Sequence, residues 1–150
     1  SGKTTVGATL SRLSGRELID LDEQIVLRAG KSIPAIFAEG GEAAFRALER
    51  EQAQKWGKES GKILVTGGGI VKDERHDFAL RQNGRVYQLE RDIALLEREG
   101  RPLSANADLS EMLLERAPLY ARVRDAVVVN NASPEDAAHR IWEDFREDCI

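Results

Sequence analysis

The feature that most constrains the fold is the first stretch of the chain, SGKTTVG (Ser1–Gly7). Its Gly-Lys-Thr at positions 2–4 matches the end of the phosphate-binding pattern G-x-x-x-x-G-K-[ST], which connects a β-strand to a helix. Apolar residues then recur at helical spacing as far as Leu13. The sequence therefore predicts a phosphate loop that leads directly into a helix.

Three residues of this kind arise by chance in a chain of ordinary composition with a probability on the order of 0.1, so the match alone is weak. Its position is more informative, because the amides at a helix N-terminus bind phosphate well. In such a site Lys3 neutralises charge on the β- and γ-phosphates, and the Thr4 hydroxyl binds Mg²⁺. The first glycine of the pattern would lie upstream of Ser1. We expect the natural protein to carry that glycine and the strand before it.

Short apolar runs alternate with helical patterns along the rest of the chain, which indicates a mostly parallel sheet with helices on both faces. We predict an α/β three-layer sandwich in one domain over residues 1–150, with a five-stranded sheet whose first strand lies upstream of Ser1. The predicted strands within the chain are Glu17–Asp22, Lys62–Gly69 with its three final glycines, Arg85–Glu90 and Asp125–Asn130. The predicted helices include Glu23–Ala29, one that begins at Ser32–Pro34, Ala43–Trp56 and Pro134–Phe145.

Composition narrows the classes of partner. The formal net charge is −4, which provides no overall basic field for nucleic acid or an anionic membrane. No apolar run approaches the roughly 20 residues that span a bilayer. The single cysteine, Cys149, excludes an internal disulfide and fits the reducing cytosol. We therefore expect a cytoplasmic protein that binds neither nucleic acid nor membrane.

Two carboxylates, Asp20 and Asp22, lie at the C-terminal edge of the first predicted strand, where open α/β sheets bind ligands. One acid can orient water on Mg²⁺ while the other takes the proton of an attacking hydroxyl. A helix cap at Asp22 explains the same pattern equally well, and the residues alone leave both interpretations open.

Three consecutive glycines, Gly67, Gly68 and Gly69, directly follow a buried apolar run. They are entropically costly in a folded segment unless bare backbone must approach another group closely. A plain turn needs one glycine, so the triplet favours a substrate that lies on backbone amides.

Several other side chains are candidates for a binding site. Arg46 and Arg116 are suited to hold a planar carboxylate, although a solvated surface charge is the more usual role of an arginine. Arg101 lies in Gly100–Asp108, which is polar, irregular and of the length of a mobile flap, and it could act as an arginine finger. His76 and His139 show no partner pattern and are interpreted as surface or packing residues.

Taken together, these stretches resemble shikimate kinase, a family in the nucleoside-monophosphate-kinase-like P-loop group. The most specific motifs are F-x-x-x-G-E-x-x-F-R (Phe37–Arg46) and R-x-P-L-Y (Arg116–Tyr120). LIDLDEQI, VTGGGIV and GRPL also match, and the resemblance covers nearly the whole chain in the family's order. It implies a P-loop kinase fold with a short lid over about residues 100–108. It also implies phosphorylation of the 3-hydroxyl of shikimate by ATP, on the route to chorismate and aromatic amino acids.

The resemblance also implies residue roles. The ATP phosphates are assigned to Ser1, Gly2, Lys3, Thr4, Thr5 and Arg101, and Mg²⁺ to Thr4 and Asp20. Shikimate is assigned to Asp22, Arg46, Arg116, the amides of Gly67, Gly68 and Gly69, and the walls formed by Phe37 and Phe45. The catalytic residues are Asp22 as base toward the 3-hydroxyl, with Lys3 and Arg101.

The chain departs from the family pattern at its start, where the front of the phosphate-binding pattern and its strand would lie upstream of Ser1, and in the lid and one later loop. Ser104 stands where the lid motif usually has leucine, and the loop 130–134 lacks the arginine that some members place near adenine. Another small-molecule P-loop kinase, such as a gluconate kinase, and a non-catalytic nucleotide-binding domain remain as alternatives. We expect a monomer, and a fusion to another enzyme of the pathway upstream is left open.

Overall fold

A computed structural model describes residues 2–90 and 103–149. In chain order the elements are α1 (Lys3–Ser14), β1 (Glu17–Asp20), α2 (Leu21–Ala29), α3 (Ile33–Gly57), β2 (Lys62–Val65), a 3₁₀ turn (Gly68–Lys72), α4 (Arg75–Arg81), β3 (Tyr87–Glu90), α5 (Leu103–Val123), β4 (Ala126–Val129) and α6 (Pro134–Cys149). They form two compact units: a central unit, Arg16–Gly84, and a terminal unit, Ser1–Gly15 with Arg85–Ile150. Within the described ranges, no helix has both the length and the apolar character needed to cross a membrane.

The central unit is built on β1 and β2, which pair in parallel from Glu17 opposite Lys62 to Asp20 opposite Val65. Its α2 and α3 bury a small apolar cluster centred on Ile25, Ile36 and Phe45. Both strands lie where short apolar runs predicted them.

The first strand ends two residues earlier than predicted, because Asp20 caps α2. Its Oδ1 accepts hydrogen bonds from the backbone amides of Asp22, at 2.9 Å, and Glu23, at 3.3 Å. The interpretation of Asp22 as a helix cap is therefore wrong. The capping role belongs to Asp20, and Asp22 lies in the first turn of the helix.

Helix α3 is divided by a kink at Gly41, whose φ of 70° and ψ of −170° are not helical. A positive φ of this kind is readily adopted only by glycine. The sequence predicted two helical segments on either side of this point. Ser32 begins the first segment as predicted, with its hydroxyl accepting from the Ala35 amide at 3.3 Å.

The terminal unit pairs β3 and β4 in parallel, from Tyr87 opposite Ala126 to Glu90 opposite Val129. On one face of these strands α1 and α6 contribute to a core of Val6, Val128, Ala137, Ala138 and Ile141. The four strands predicted within the chain are thus all present, as two parallel pairs. The fifth strand, expected upstream of Ser1, stays a prediction.

The irregular conformation predicted for Gly100–Asp108 is wrong for residues 103–108, because α5 begins at Leu103. Pro102 directly before this point suits a helix start, and residues 103–108 contain leucine and alanine but no glycine or proline. Residues 100–102 lie outside the described ranges, so the function of this segment as a lid stays a prediction.

Candidate active site

The glycine turn of the central unit lies between a carboxylate and a guanidinium. A Cβ atom added to Gly67 would fall 3.6 Å from Oδ1 of Asp22, which is ordinary contact. A Cβ atom added to Gly69 would fall 2.5 Å from Nη2 of Arg46, closer than real atoms approach. The turn therefore brings together Asp22, the three glycines and Arg46, which the sequence predicted for one site. The close approach of Arg46 explains why position 69 needs a glycine.

Acidic side chains hold Arg46 in place. Its Nη1 donates to Oε1 of Glu49 at 2.8 Å, and its Nε donates to Oε1 of Glu42 at 3.3 Å. Glu49 is only 2% exposed, so the closer bond is largely shielded from water. Burial lowers the pKa of the Arg46 guanidinium, but Glu49 and Glu42 outweigh this effect and raise it above its ordinary value. The guanidinium is thus charged and preorganised.

Two aromatic rings pack beside Arg46. Phe37 and Phe45 stack with their centroids 5.0 Å apart, and the Arg46 guanidinium carbon lies 5.2 Å from the Phe45 centroid. Phe45 belongs to the core, whereas Phe37 is 39% exposed. The pair can therefore serve as packing and as an accessible apolar wall.

Arg46 also borders an open cleft of about 520 Å³, which is lined by Glu42, Arg46, Lys72, Asp73, Glu74 and Arg75. Its charges are largely paired. Lys72 Nζ lies 3.5 Å from Oε1 of Glu42, and Arg75 Nη2 lies 2.9 Å from Oδ2 of Asp73. The hydrogen bonds from Arg75 hold the pKa of the Asp73 carboxyl well below its ordinary value.

The phosphate-loop residues lie in the terminal unit. Gly2 caps α1 with a positive φ of 80°, and a Cβ atom there would fall 2.8 Å from Nδ2 of the buried Asn130. Lys3, Thr4 and Thr5 are exposed in the first turn of α1, which contains no acidic residue. This helix N-terminus is therefore suited to an anion, and the phosphate contacts that the sequence assigns to it stay a prediction.

Arg116 lies on α5 of the terminal unit and is half-buried. Its Nε is buried and has no hydrogen-bond partner among the residues that the structure describes. A buried donor without an acceptor is costly, and an oxyanion ligand would remove that cost. Ser1 and Arg101, the other predicted phosphate contacts, lie outside the described ranges.

The sequence interpretation did not identify Glu49 as the partner of Arg46. Its position three residues after Arg46 on the same helix could have indicated this pair. Residues at this spacing lie side by side on a helix surface. A buried carboxylate beside an arginine proposed to bind substrate is recognisable once the helix is known.

The family model for shikimate kinase matches residues 1–146. The chain belongs to the shikimate kinase family. Among curated relatives, the shikimate kinase of Bordetella avium is 41% identical over 143 residues, which cover 89% of this chain and 68% of the relative. That of Chlorobaculum tepidum is 34% identical over 168 residues, covering 97% and 87%.

Solved structures agree with this assignment. A shikimate kinase from Acinetobacter baumannii in complex with shikimate has a TM-score of 0.90 at 31% identity, covering 99% of this chain and 89% of that one. The shikimate kinase of Aquifex aeolicus has a TM-score of 0.84 at 29% identity, covering 98% and 90%. The predicted family, the α/β P-loop kinase fold and the kinase class are therefore confirmed. The predicted reaction, from ATP and shikimate to ADP and shikimate 3-phosphate, is that of this family.

Proposed function

We propose that the enzyme binds shikimate on the Gly67–Gly69 turn, with Asp22 at the reacting 3-hydroxyl and Arg46 at the carboxylate. One observation carries this proposal: the bare turn lies between the Asp22 carboxylate and the anchored guanidinium of Arg46. Shikimate is a small ring with a carboxylate at one end and hydroxyls at the other. The order of carboxylate, amides and guanidinium in the site is complementary to it.

The two arginines contribute binding rather than chemistry in this proposal. The substrate carboxylate does not react, so Arg46 and Arg116 orient the ring by charge-assisted hydrogen bonds. The preorganisation of Arg46 by Glu49 limits the entropy lost on binding. The Nε of Arg116, in the terminal unit, is buried without a hydrogen-bond partner among the described residues, which supports the same assignment.

Asp22 serves as the base. The 3-hydroxyl oxygen attacks the γ-phosphorus, its proton passes to the Asp22 carboxylate, and the bond from phosphorus to the β,γ-bridging oxygen breaks to release ADP. Lys3 and Arg101 neutralise the charge that shifts during transfer. Most of the acceleration then comes from positioning and charge neutralisation.

We assign the ATP phosphates to the start of α1, on residues 1–5, and we assign Arg101 to the same phosphates. Thr4 and Asp20 are the proposed ligands or water-mediated partners of Mg²⁺, because a hydroxyl and a carboxylate oxygen are the donors this ion prefers. Asp20 uses Oδ1 to cap α2, so we assign Oδ2 to the metal side. When bound there, Mg²⁺ would neutralise charge on the β- and γ-phosphates.

We also propose that the enzyme acts in the cytoplasm as a monomer. The single cysteine of the chain is typical of a protein kept in a reducing compartment. Light scattering of the purified enzyme across a range of concentrations tests the monomer directly.

Release of ADP with Mg-ATP tests the acceptor. Shikimate should support turnover, whereas gluconate and nucleoside monophosphates should support none above the ATP background. Turnover with gluconate at a comparable rate, or equal release without any acceptor, would contradict the proposed function. Lys3→Ala serves as a control for chemistry, since it should chiefly depress kcat.

A further inference from the structure

A buried histidine lies behind the glycine turn and has no role in the site described above. His76 is the second residue of α4 and is 1% exposed. Its Nδ1 lies 2.6 Å from the carbonyl oxygen of Ile70, at the centre of the 3₁₀ turn. A carbonyl oxygen only accepts hydrogen bonds, so Nδ1 carries the hydrogen.

The other ring nitrogen is consistent with this tautomer. Nε2 of His76 is buried and has no hydrogen-bond partner among the described residues. With the hydrogen on Nδ1, Nε2 carries none, so no donor is left unmatched. The imidazole therefore makes one short, directed contact, and that contact is to the backbone of the turn.

The turn needs such a contact because its own sequence does little to fix it. Three glycines lose more conformational entropy on folding than any other residues. The hydrogen bond from the Ile70 amide to the Gly67 carbonyl is 3.3 Å long, beyond the usual range. The turn is followed by Asp73, whose carboxylate is held by Arg50 at 3.3 Å and by Arg75 at 2.9 Å.

The side-chain contacts at the centre of this turn and just after its end differ in kind. Those of Asp73 are ion pairs near the surface, whereas the bond between His76 and Ile70 is buried. Ile70 is the residue directly after Gly69, so a shift of its carbonyl shifts the backbone that lies against Arg46. The position of the substrate-binding amides is thus coupled to the histidine through one residue.

We propose that His76 is a positioning residue of the acceptor site: its Nδ1–H holds the Ile70 carbonyl and so fixes the turn that presents Gly67–Gly69 between Asp22 and Arg46. This inference rests on the proposed function, since it assumes that the turn and Arg46 bind shikimate. It assigns no proton transfer to His76.

Steady-state kinetics of three variants of the intact enzyme test this inference. His76→Leu removes the donor at similar volume, and KM for shikimate should rise by roughly threefold to tenfold, as expected for one lost hydrogen bond. KM for ATP should stay within about twofold. His76→Asn places an amide N–H close to the position of Nδ1 and should restore most of the affinity. The exposed His139, changed to Leu, is the matched control and should behave as wild type.

The ¹⁵N resonances of the wild-type imidazole provide a readout that needs no variant. They should show a hydrogen on Nδ1 and none on Nε2 of His76. The opposite tautomer overturns the inference even if His76→Leu fails to fold. So does an unchanged shikimate KM in folded His76→Leu, or a failure of Asn to rescue.

Arg46→Ala, measured in the same assay, separates the two hypotheses. If it raises the shikimate KM while His76→Leu does not, the acceptor site stands and only the positioning role fails. If Arg46→Ala leaves the shikimate KM unchanged, the proposed acceptor site is wrong.

Discussion

Gly69 lies directly against the guanidinium of Arg46: a Cβ atom at Gly69 would fall 2.5 Å from Nη2 and 2.9 Å from Nη1. The atoms that would collide are the far end of a long side chain, so an alanine can be accommodated if the guanidinium moves. Such a movement would weaken its bond to Glu49 at 2.8 Å. The cost of a side chain at Gly69 should therefore appear in substrate binding more than in folding.

Gly69→Ala should raise the shikimate KM by roughly tenfold, the value of one weakened charge-assisted hydrogen bond, with little change in the KM for ATP. Steady-state kinetics at saturating ATP measure this change. Gly84→Ala is the control, because among the described residues a Cβ atom there would meet only the Leu80 carbonyl at 3.9 Å. Wild-type shikimate affinity in Gly69→Ala would contradict the close approach.

Glu49→Gln tests the anchoring of Arg46. The amide keeps an oxygen acceptor but removes the charge, so we expect a threefold to tenfold increase in shikimate KM and only a small change in kcat. Glu51→Gln is a matched control on the same helix, since the pair of Glu51 with Arg28 is exposed and contributes little. Equal effects of the two substitutions would show that burial of Glu49 has no functional consequence.

The fold could be predicted from sequence because its signals are local. The apolar run within Lys62–Val65 predicts a strand, and Ser32 predicts the start of a helix. The end of β1 was misplaced by two residues because Asp20 and Asp22 alternate as strand residues do. Only the geometry of the amides of α2 shows which of the two is the cap.

The residue types of the site were predictable, but the contacts that hold them were not. The glycine triplet indicated a close approach without showing that Arg46, far away in sequence, is one of the groups approached. His76 gave no signal at all, because its partner is the carbonyl of Ile70, and every residue has a carbonyl. Side-chain bonds to distant backbone leave no pattern in a single sequence.

Gly2→Ala should impair ATP use. It combines a positive φ of 80° with a Cβ position 2.8 Å from Nδ2 of Asn130, so both the backbone and its neighbour must shift. We expect a loss in kcat/KM for ATP of at least tenfold. Gly15→Ala is a matched control: its φ is 70°, but a Cβ atom there would have no atom of the described residues within 4 Å. Gly15→Ala should lose about 1 kcal/mol of stability and keep wild-type kinetics. If Gly2→Ala shows the same kinetics as Gly15→Ala, the result would argue against a phosphate site at Gly2.

Stability should depend on Asp73 in a pH-dependent way. Hydrogen bonds from Arg75, and then from Arg50, hold the pKa of Asp73 below its ordinary value. A lowered folded-state pKa contributes stability that is complete above the unfolded-state pKa, about 4, and is lost as pH falls toward the folded-state value. In urea unfolding, the difference between wild type and Asp73→Asn should be constant from pH 7 to 5 and should narrow by pH 3. Glu74→Gln is the control for loss of a neighbouring carboxylate charge. If the stability difference between wild type and Asp73→Asn widens in acid instead, the lowered pKa of Asp73 is contradicted.

Arg116→Ala tests the second carboxylate contact. Its Nε is buried and has no partner within residues 2–90 and 103–149, which indicates a guanidinium that gains an acceptor when substrate binds. Loss of a charge-assisted contact of about 1.5–3 kcal/mol should raise the shikimate KM by roughly tenfold to a hundredfold, while the KM for ATP changes far less. Some loss of kcat should follow as well, because a loosely held ring presents its hydroxyl poorly to Asp22. Arg122→Ala, an exposed arginine on the same helix, should leave both constants unchanged. If Arg116→Ala also keeps the wild-type shikimate KM and turnover, Arg116 is not part of the carboxylate site and its buried Nε needs another partner.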